Sequence, residues 1–156
     1  MTGLRNYMIS TAAVAATAVT GSVAVDPDSR WYRKLRKPRF QPPPAAFGIV
    51  WTPLYGTIAW SSGRTLNRLD EPERAAYIAN LGANLTLNAG WNWLFFKARN
   101  PVAGLFAIAA LNASNLQLIR RTAKTDAKAA AALIPYALWC GFATALNEEI
   151  WRLNRR

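Results

Sequence analysis

Charged residues along this chain fall in clusters, and the uncharged stretches between them are its longest-range pattern. Five intervals, bounded by Arg5 and Asp26, Arg39 and Arg64, Arg74 and Lys97, Arg99 and Arg120, and Lys128 and Glu148, hold 20, 24, 22, 20 and 19 residues. A helix of about 20 residues crosses the roughly 30 Å hydrocarbon core of a bilayer. A helix on the surface of a soluble bundle carries charge every three or four residues on its outer face, and none of these intervals does. The pattern predicts an all-α fold, an integral membrane bundle in one domain over 1–156, with five transmembrane helices at 6–25, 45–63, 75–96, 101–119 and 129–147 and one long basic loop at 26–44. Span 1 leaves a second reading open: Arg5, an apolar run and Ser22-Val23-Ala24 also resemble a secretory signal with its cleavage site.

Two span boundaries are written in proline. Pro42-Pro43-Pro44 favours extended geometry and cannot feed a helix ladder, so span 2 starts near Ala45. Asn100-Pro101 supplies an N-cap followed by proline at the first helical position, which sets the start of span 4. Pro53 and Pro135 lie inside spans 2 and 5, near Trp51 and Trp139, where a kink would widen the bundle.

Composition adjusts this picture modestly. The mean hydropathy is only +0.01 although 52% of residues are hydrophobic, because the intervals use Ala, Thr, Ser and Asn as well as Leu and Ile. The chain has no histidine, which removes the Ser-His-Asp and Cys-His arrangements and the usual catalytic zinc sites; no metal and no obligatory cofactor are expected. The lone Cys140 cannot form an intramolecular disulfide. No carboxylate lies inside a span, so proton-coupled transport through the core has no carrier.

The net charge of +11 reads as anchoring to anionic headgroups, with membrane lipid and no nucleic acid as the partner. The long-loop side carries 11 Lys and Arg and the other side 8, a bias that places the long loop and the C-terminus in the cytoplasm. Six of the 11 are in the loop itself, interleaved with Trp31, Tyr32 and Phe40.

Of the seven tryptophans, Trp31 and Trp151 fit an interfacial belt. Trp51, Trp91 and Trp139 sit about 8 to 12 Å inside their spans, all measured from the long-loop side. Three indoles at one depth either line a common cavity beneath the loop, with Phe95 and Phe96 beside it, or are ordinary packing or lipid-facing rings. In span 3, Asn80, Asn84, Asn88 and Asn92 recur every four residues, drifting about 40° per step, and so form one broad stripe. Amides in hydrocarbon need partners, so the stripe faces protein, water or ligand. Ala75, Ala79 and Ala83 form an adjacent small-residue stripe that suits either a homodimer seam or packing within one chain.

These residues also carry a resemblance. Trp31-Tyr32, Leu35, Lys37-Pro38, Phe40, Pro42-Pro43, Phe47, Trp51 and Leu54-Tyr55 resemble the tryptophan-rich sensory protein and translocator protein family. So do Asn88, Trp91 and Phe95-Phe96, and the run Pro135-Tyr136, Trp139, Phe142-Ala143-Thr144, Leu146-Asn147 and Trp151-Arg152. The resemblance implies a five-helix membrane protein, a bacterial-type member in the cell membrane, often homodimeric, with an interhelical pocket under the first loop that binds porphyrins and other hydrophobic molecules. Carried onto this chain, and with Asn84 added from the amide stripe, the expected ligand-binding set is Trp31, Tyr32, Phe47, Trp51, Tyr55, Asn84, Asn88, Trp91, Phe95, Trp139 and Ala143. Arg30, Arg33 and Lys34 are the expected partners of porphyrin or haem propionates. Some bacterial members are associated with light-dependent porphyrin breakdown, for which Trp51 and Trp139 occupy the matching positions; transport and stress sensing are the non-enzymatic alternatives. Glu148 and Glu149 stand where the sterol motif of animal members needs a tyrosine, and Val102-Ala103 where those members have a tryptophan. Sterol recognition and tight binding of the animal receptor's synthetic ligands are therefore not expected.

Overall fold

The computed structural model describes residues 2–156, with side chains from residue 3 onward. Five long helices appear where the uncharged intervals predict them: α1 (Thr2–Ala24), α3 (Pro44–Leu66), α4 (Glu73–Asn92), α5 (Pro101–Ala123) and α6 (Ala127–Asn154), with a short α2 (Arg30–Lys34) inside the long loop. The helices extend past the predicted limits into their charged flanks, most of all α6, because Lys, Arg and Glu are good helix formers whose polar ends still reach water. Local chemistry sets the starts. Pro43 is extended (φ −61°, ψ 152°) immediately before α3. The Asn100 side chain accepts from Ala103 N at 3.0 Å at the start of α5. Asp126 Oδ1 accepts from Lys128 N and Ala129 N at 3.0 and 3.1 Å at the start of α6.

Span 3 differs from its predicted form. The α-helix stops at Asn92 and continues through Trp93–Lys97 as a π-helical turn, closed by Ala98 N donating to Trp93 O at 2.8 Å. A π turn widens the local winding, a change of backbone register that regular spacing does not anticipate. Pro53 and Pro135 sit within continuous helices, both exposed.

The packing order closes a ring. α1 packs against α3 and α4, α4 against α5, α5 against α6, and α6 against α3. Thus α3 and α4, neighbours in sequence, are held apart by α1. Ser10 Oγ donates to Ala59 O at 2.8 Å between α1 and α3, and Ser61 Oγ to Ala129 O at 2.9 Å between α3 and α6. The ring buries Leu54, Ile58, Tyr77, Leu81, Leu111, Leu118, Leu133 and Tyr136. Large apolar side chains also point outward on every long helix: Leu4 and Met8, Ile49 and Trp60, Ile78, Phe106 and Leu116, Ile134 and Leu138. Residues Gly3–Ala24, Pro101–Ala123 and Ala127–Asn154 are long and apolar enough to cross a membrane by composition alone.

Candidate ligand-binding site

Near the long-loop end the ring does not close on itself, and a cavity of about 580 Å³ lies between α1, α3, the end of α4 and α6, with Tyr32 of α2 beside it. Its aromatic wall has two stacks. Trp51 lies on Tyr55 with centroids 5.2 Å apart and planes 26° from parallel. Trp91 lies on Phe95 at 5.2 Å and 22°. The π turn sets the second stack, bringing Phe95 and Phe96 edge to face at 4.9 Å behind Trp91. Gly104 permits the backing: a Cβ there would lie 2.8 Å from Asn147 Oδ1 and 3.4 Å from the Phe95 ring. Asn147 holds the Trp91 indole by accepting from its Nε1 at 2.9 Å, and donates to Pro101 O at 2.9 Å.

Of the expected site residues, Tyr32, Phe47, Trp51, Tyr55, Trp91 and Phe95 line this cavity. The others lie elsewhere, and each displacement has a local cause. The reading of three indoles around one space becomes two, because Trp139 is half-buried outside the lining, against Phe47 at 5.9 Å and Phe142 at 5.2 Å. Trp31 packs edge-on against Phe95 at 5.7 Å from behind, and Ala143 is buried in the helix core. Asn84 and Asn88 are bonded inside the bundle. Asn84 Nδ2 donates to Asn115 Oδ1 at 2.7 Å, and Tyr136 Oη donates to Asn84 Oδ1 at 2.9 Å. Asn88 Nδ2 donates to Tyr136 Oη at 2.9 Å and its Oδ1 accepts from Tyr55 Oη at 3.1 Å.

The basic loop is also arranged differently from expectation. Ser29 Oγ accepts from Tyr32 N at 3.2 Å and starts α2, a five-residue helix that turns Tyr32 inward. Arg30, Arg33 and Lys34 are exposed, and none lines the cavity. Lys37 is committed to the loop: it donates to Tyr32 O at 2.7 Å and sits 4.5 Å over the Tyr32 ring. Burial raises the Tyr32 phenol above its ordinary pKa of 10.0, partly offset by Gln41 Nε2 donating to it at 2.8 Å, so this wall is uncharged at neutral pH.

Some lining residues were not anticipated. Ala18, Val19 and Ser22 of α1 and Gly48 and Thr52 of α3 also face the space. Val19 is 63% exposed, and Ser22, Gly48 and Thr52 are exposed too, so the cavity opens sideways between α1 and α3. Nothing in an Ala- and Val-rich helix marks such a role. Asn92 lines the cavity as well, at the end of the amide stripe, and its side chain makes no hydrogen bond among the described residues. No group of three His, Cys, Asp or Glu that could hold a metal forms among the described residues.

A bundle with apolar side chains on its outer surface and an aromatic chamber open toward that surface defines a helical membrane protein with a hydrophobic cavity. Residues 8–152 match the TspO/MBR family, and the chain belongs to it. It is 38% identical over 130 residues to the tryptophan-rich protein TspO of Archaeoglobus fulgidus, covering 80% of each chain. It is 28% identical over 149 residues to protein CrtK of Rhodobacter capsulatus, covering 95% of this chain and 90% of that protein. Against the human translocator protein the identity is 31% over 128 residues, 80% of this chain and 75% of the other.

Proposed function

We propose that this protein crosses the membrane five times and holds a flat hydrophobic molecule, a tetrapyrrole such as a porphyrin or haem or a lipophile of similar shape, against Trp51 and Trp91. The observation that carries this reading is the pair of aromatic stacks facing one cavity, whose size lies within the roughly 300–1,000 Å³ of small-molecule sites. Indole faces suit an extended π system. The Tyr55 hydroxyl and the Trp91 indole N–H on the wall are already bonded within the protein, so an apolar macrocycle loses little by displacing water there, and Asn92 offers a directional contact. Five crossings are supported by the outward apolar side chains of α3 and α4: of the Asn residues that depress the hydropathy of α4, Asn84 and Asn88 are bonded inside the bundle, Asn92 lines the cavity and Asn80 is buried against α5.

The sideways opening between α1 and α3 favours exchange with the bilayer, and with it a carrier or stress-sensing role. In this reading the protein sits in a bacterial cell membrane, and the charge bias favours a cytoplasmic long loop and C-terminus. A second copy belongs to the proposal too, using the outer face of α4 where Ala75, Gly82 and Thr86 are exposed. A photochemical role has its own support: Trp51, stacked on Tyr55 at the wall, is positioned to give an electron to an excited ligand.

Protoporphyrin titrated into the protein in neutral detergent should quench tryptophan fluorescence, and Trp51→Phe and Trp91→Phe should each weaken affinity about tenfold, or about 1.4 kcal/mol. Trp139→Phe should change it much less. Equal effects of all three substitutions, or none, would contradict binding in this cavity. Illumination of the complex, with porphyrin absorbance followed, separates breakdown from holding.

A further inference from the structure

A second concavity, a groove of about 640 Å³, runs between α4 and α5 on the outer surface, away from the aromatic chamber. Its walls are small and apolar, among them Ala79, Ala83, Ala110 and Ala113. The Ala75–Ala79–Ala83 stripe of the sequence is therefore only partly a unit: Ala79 and Ala83 face this groove and Ala75 does not.

The groove also holds two polar groups with complementary needs. Asn80 is only 7% exposed; its Nδ2 donates to Ser114 Oγ at 3.3 Å, but its Oδ1 is buried without a donor. Arg121, in the last turn of α5, has a buried Nε with no acceptor, and no carboxylate pairs with it among the described residues. Ser114 and Arg121 are seven residues apart, on one face of α5 and about 10 Å apart along its axis. Asn80, Ser114 and Arg121 all line this one groove, so the amide and the guanidinium share a single wall. A buried unmet acceptor and a buried unmet charged donor in one groove are costly, and an alanine wall has no way to satisfy either.

We propose that this groove binds one anionic glycerophospholipid with a hydroxylated head, phosphatidylglycerol in chemical class. Its phosphate accepts from Arg121, a head hydroxyl donates to Asn80 Oδ1, and an acyl chain lies along the alanines toward the bilayer centre. Arg121 is suited to this role by position, since the last turn of a membrane helix lies at headgroup depth. The neighbouring Arg120 is exposed and does not line the groove, which makes it an internal control for general surface attraction.

Native mass spectrometry of the full chain in neutral detergent, titrated with phosphatidylglycerol and with phosphatidylcholine, tests the assignment. Phosphatidylglycerol should bind more tightly. Arg121→Gln and Ala113→Leu should each weaken it about tenfold, and Arg120→Gln should leave it near the wild-type value. Asn80→Ala should narrow the preference over phosphatidic acid, which has no head hydroxyl. Arg121→Lys, which keeps the charge but loses the Nε–H, should also weaken binding and serves if Arg121→Gln does not fold. Equal losses from Arg120→Gln and Arg121→Gln would overturn the proposal in favour of diffuse attraction. Displacement of the lipid by glycerol 3-phosphate alone would overturn it in favour of a soluble phosphate compound. Unchanged lipid binding in Ala113→Leu, with a shift in oligomeric mass, would overturn it by assigning the groove to a second copy.

Discussion

The amide of Asn84 is completely buried, and its hydrogen bonds to Ser114, Asn115 and Tyr136 join α4 to both α5 and α6. Bonds of this kind in membrane bundles are worth about 0.6 kcal/mol on average, because the separated helices also find partners. Three bonds lost together, with Tyr136 and Asn115 left short of a partner, should bring Asn84→Ala to about 2 kcal/mol of destabilisation. Asn112→Ala, which removes one half-buried bond to Thr144, should cost about 0.6 kcal/mol or less. Thermal unfolding of both variants in one detergent checks the contrast, and equal shifts would deny Asn84 its central place. The amide stripe itself was legible in the four-residue spacing, but its destination was not. A drift of about 40° per step carries it from α5 at Asn80, through the interior at Asn84 and Asn88, to the cavity at Asn92. One stripe thus serves three surroundings, which only the positions of the neighbouring helices reveal. The exposed Arg30, Arg33 and Lys34 show the same limit: composition placed six cations in the loop, whereas the turn of α2 decides which side chains face inward.

At the scale of elements, the ring depends on how closely α1 approaches α3. A Cβ at Gly63 would lie 2.4 Å from Tyr7 Cδ1 and 2.9 Å from the Tyr7 Cα, so any larger residue forces the α1 backbone away. Gly56, on the same helix, has open space where its Cβ would be. Gly63→Ala should therefore lower the melting temperature, whereas Gly56→Ala should raise it slightly, by up to about 1 kcal/mol of helix propensity. Lowering by both would mean that α3 resists alanine for reasons unrelated to the α1 contact. A further tie lies at the opposite end from the cavity, where Asp126 pairs with Arg64 of α3 and with Arg68 just beyond it while capping α6. The five long helices were legible because loss of charge over about 20 residues is a strong, length-matched signal. α2 and the π turn were not: five residues carry too little periodicity to read, and a change in hydrogen-bond register leaves no mark in spacing.

For the molecule as a whole, the ring order explains why the cavity was only half visible beforehand. Depth along a span can be counted, so three indoles at one level were identified; rotation about the helix axis cannot be fixed by depth, and it turns Trp139 toward Phe47 and Phe142 instead of the open space. The insertion of α1 between α3 and α4 makes α1 a cavity wall and leaves the sideways opening beside it.

If hydrophobic ligands occupy this chamber, filling it with protein must exclude them. Ala18 faces the cavity from α1, so Ala18→Trp places a bulky ring inside it, while Ala113→Leu fills the separate α4–α5 groove. Equilibrium titration of protoporphyrin in neutral detergent should show Ala18→Trp weakening affinity by about tenfold or more and Ala113→Leu leaving it unchanged, with both variants retaining wild-type helical circular dichroism. Undiminished binding in folded Ala18→Trp, or a loss seen only in Ala113→Leu, would contradict binding in this chamber.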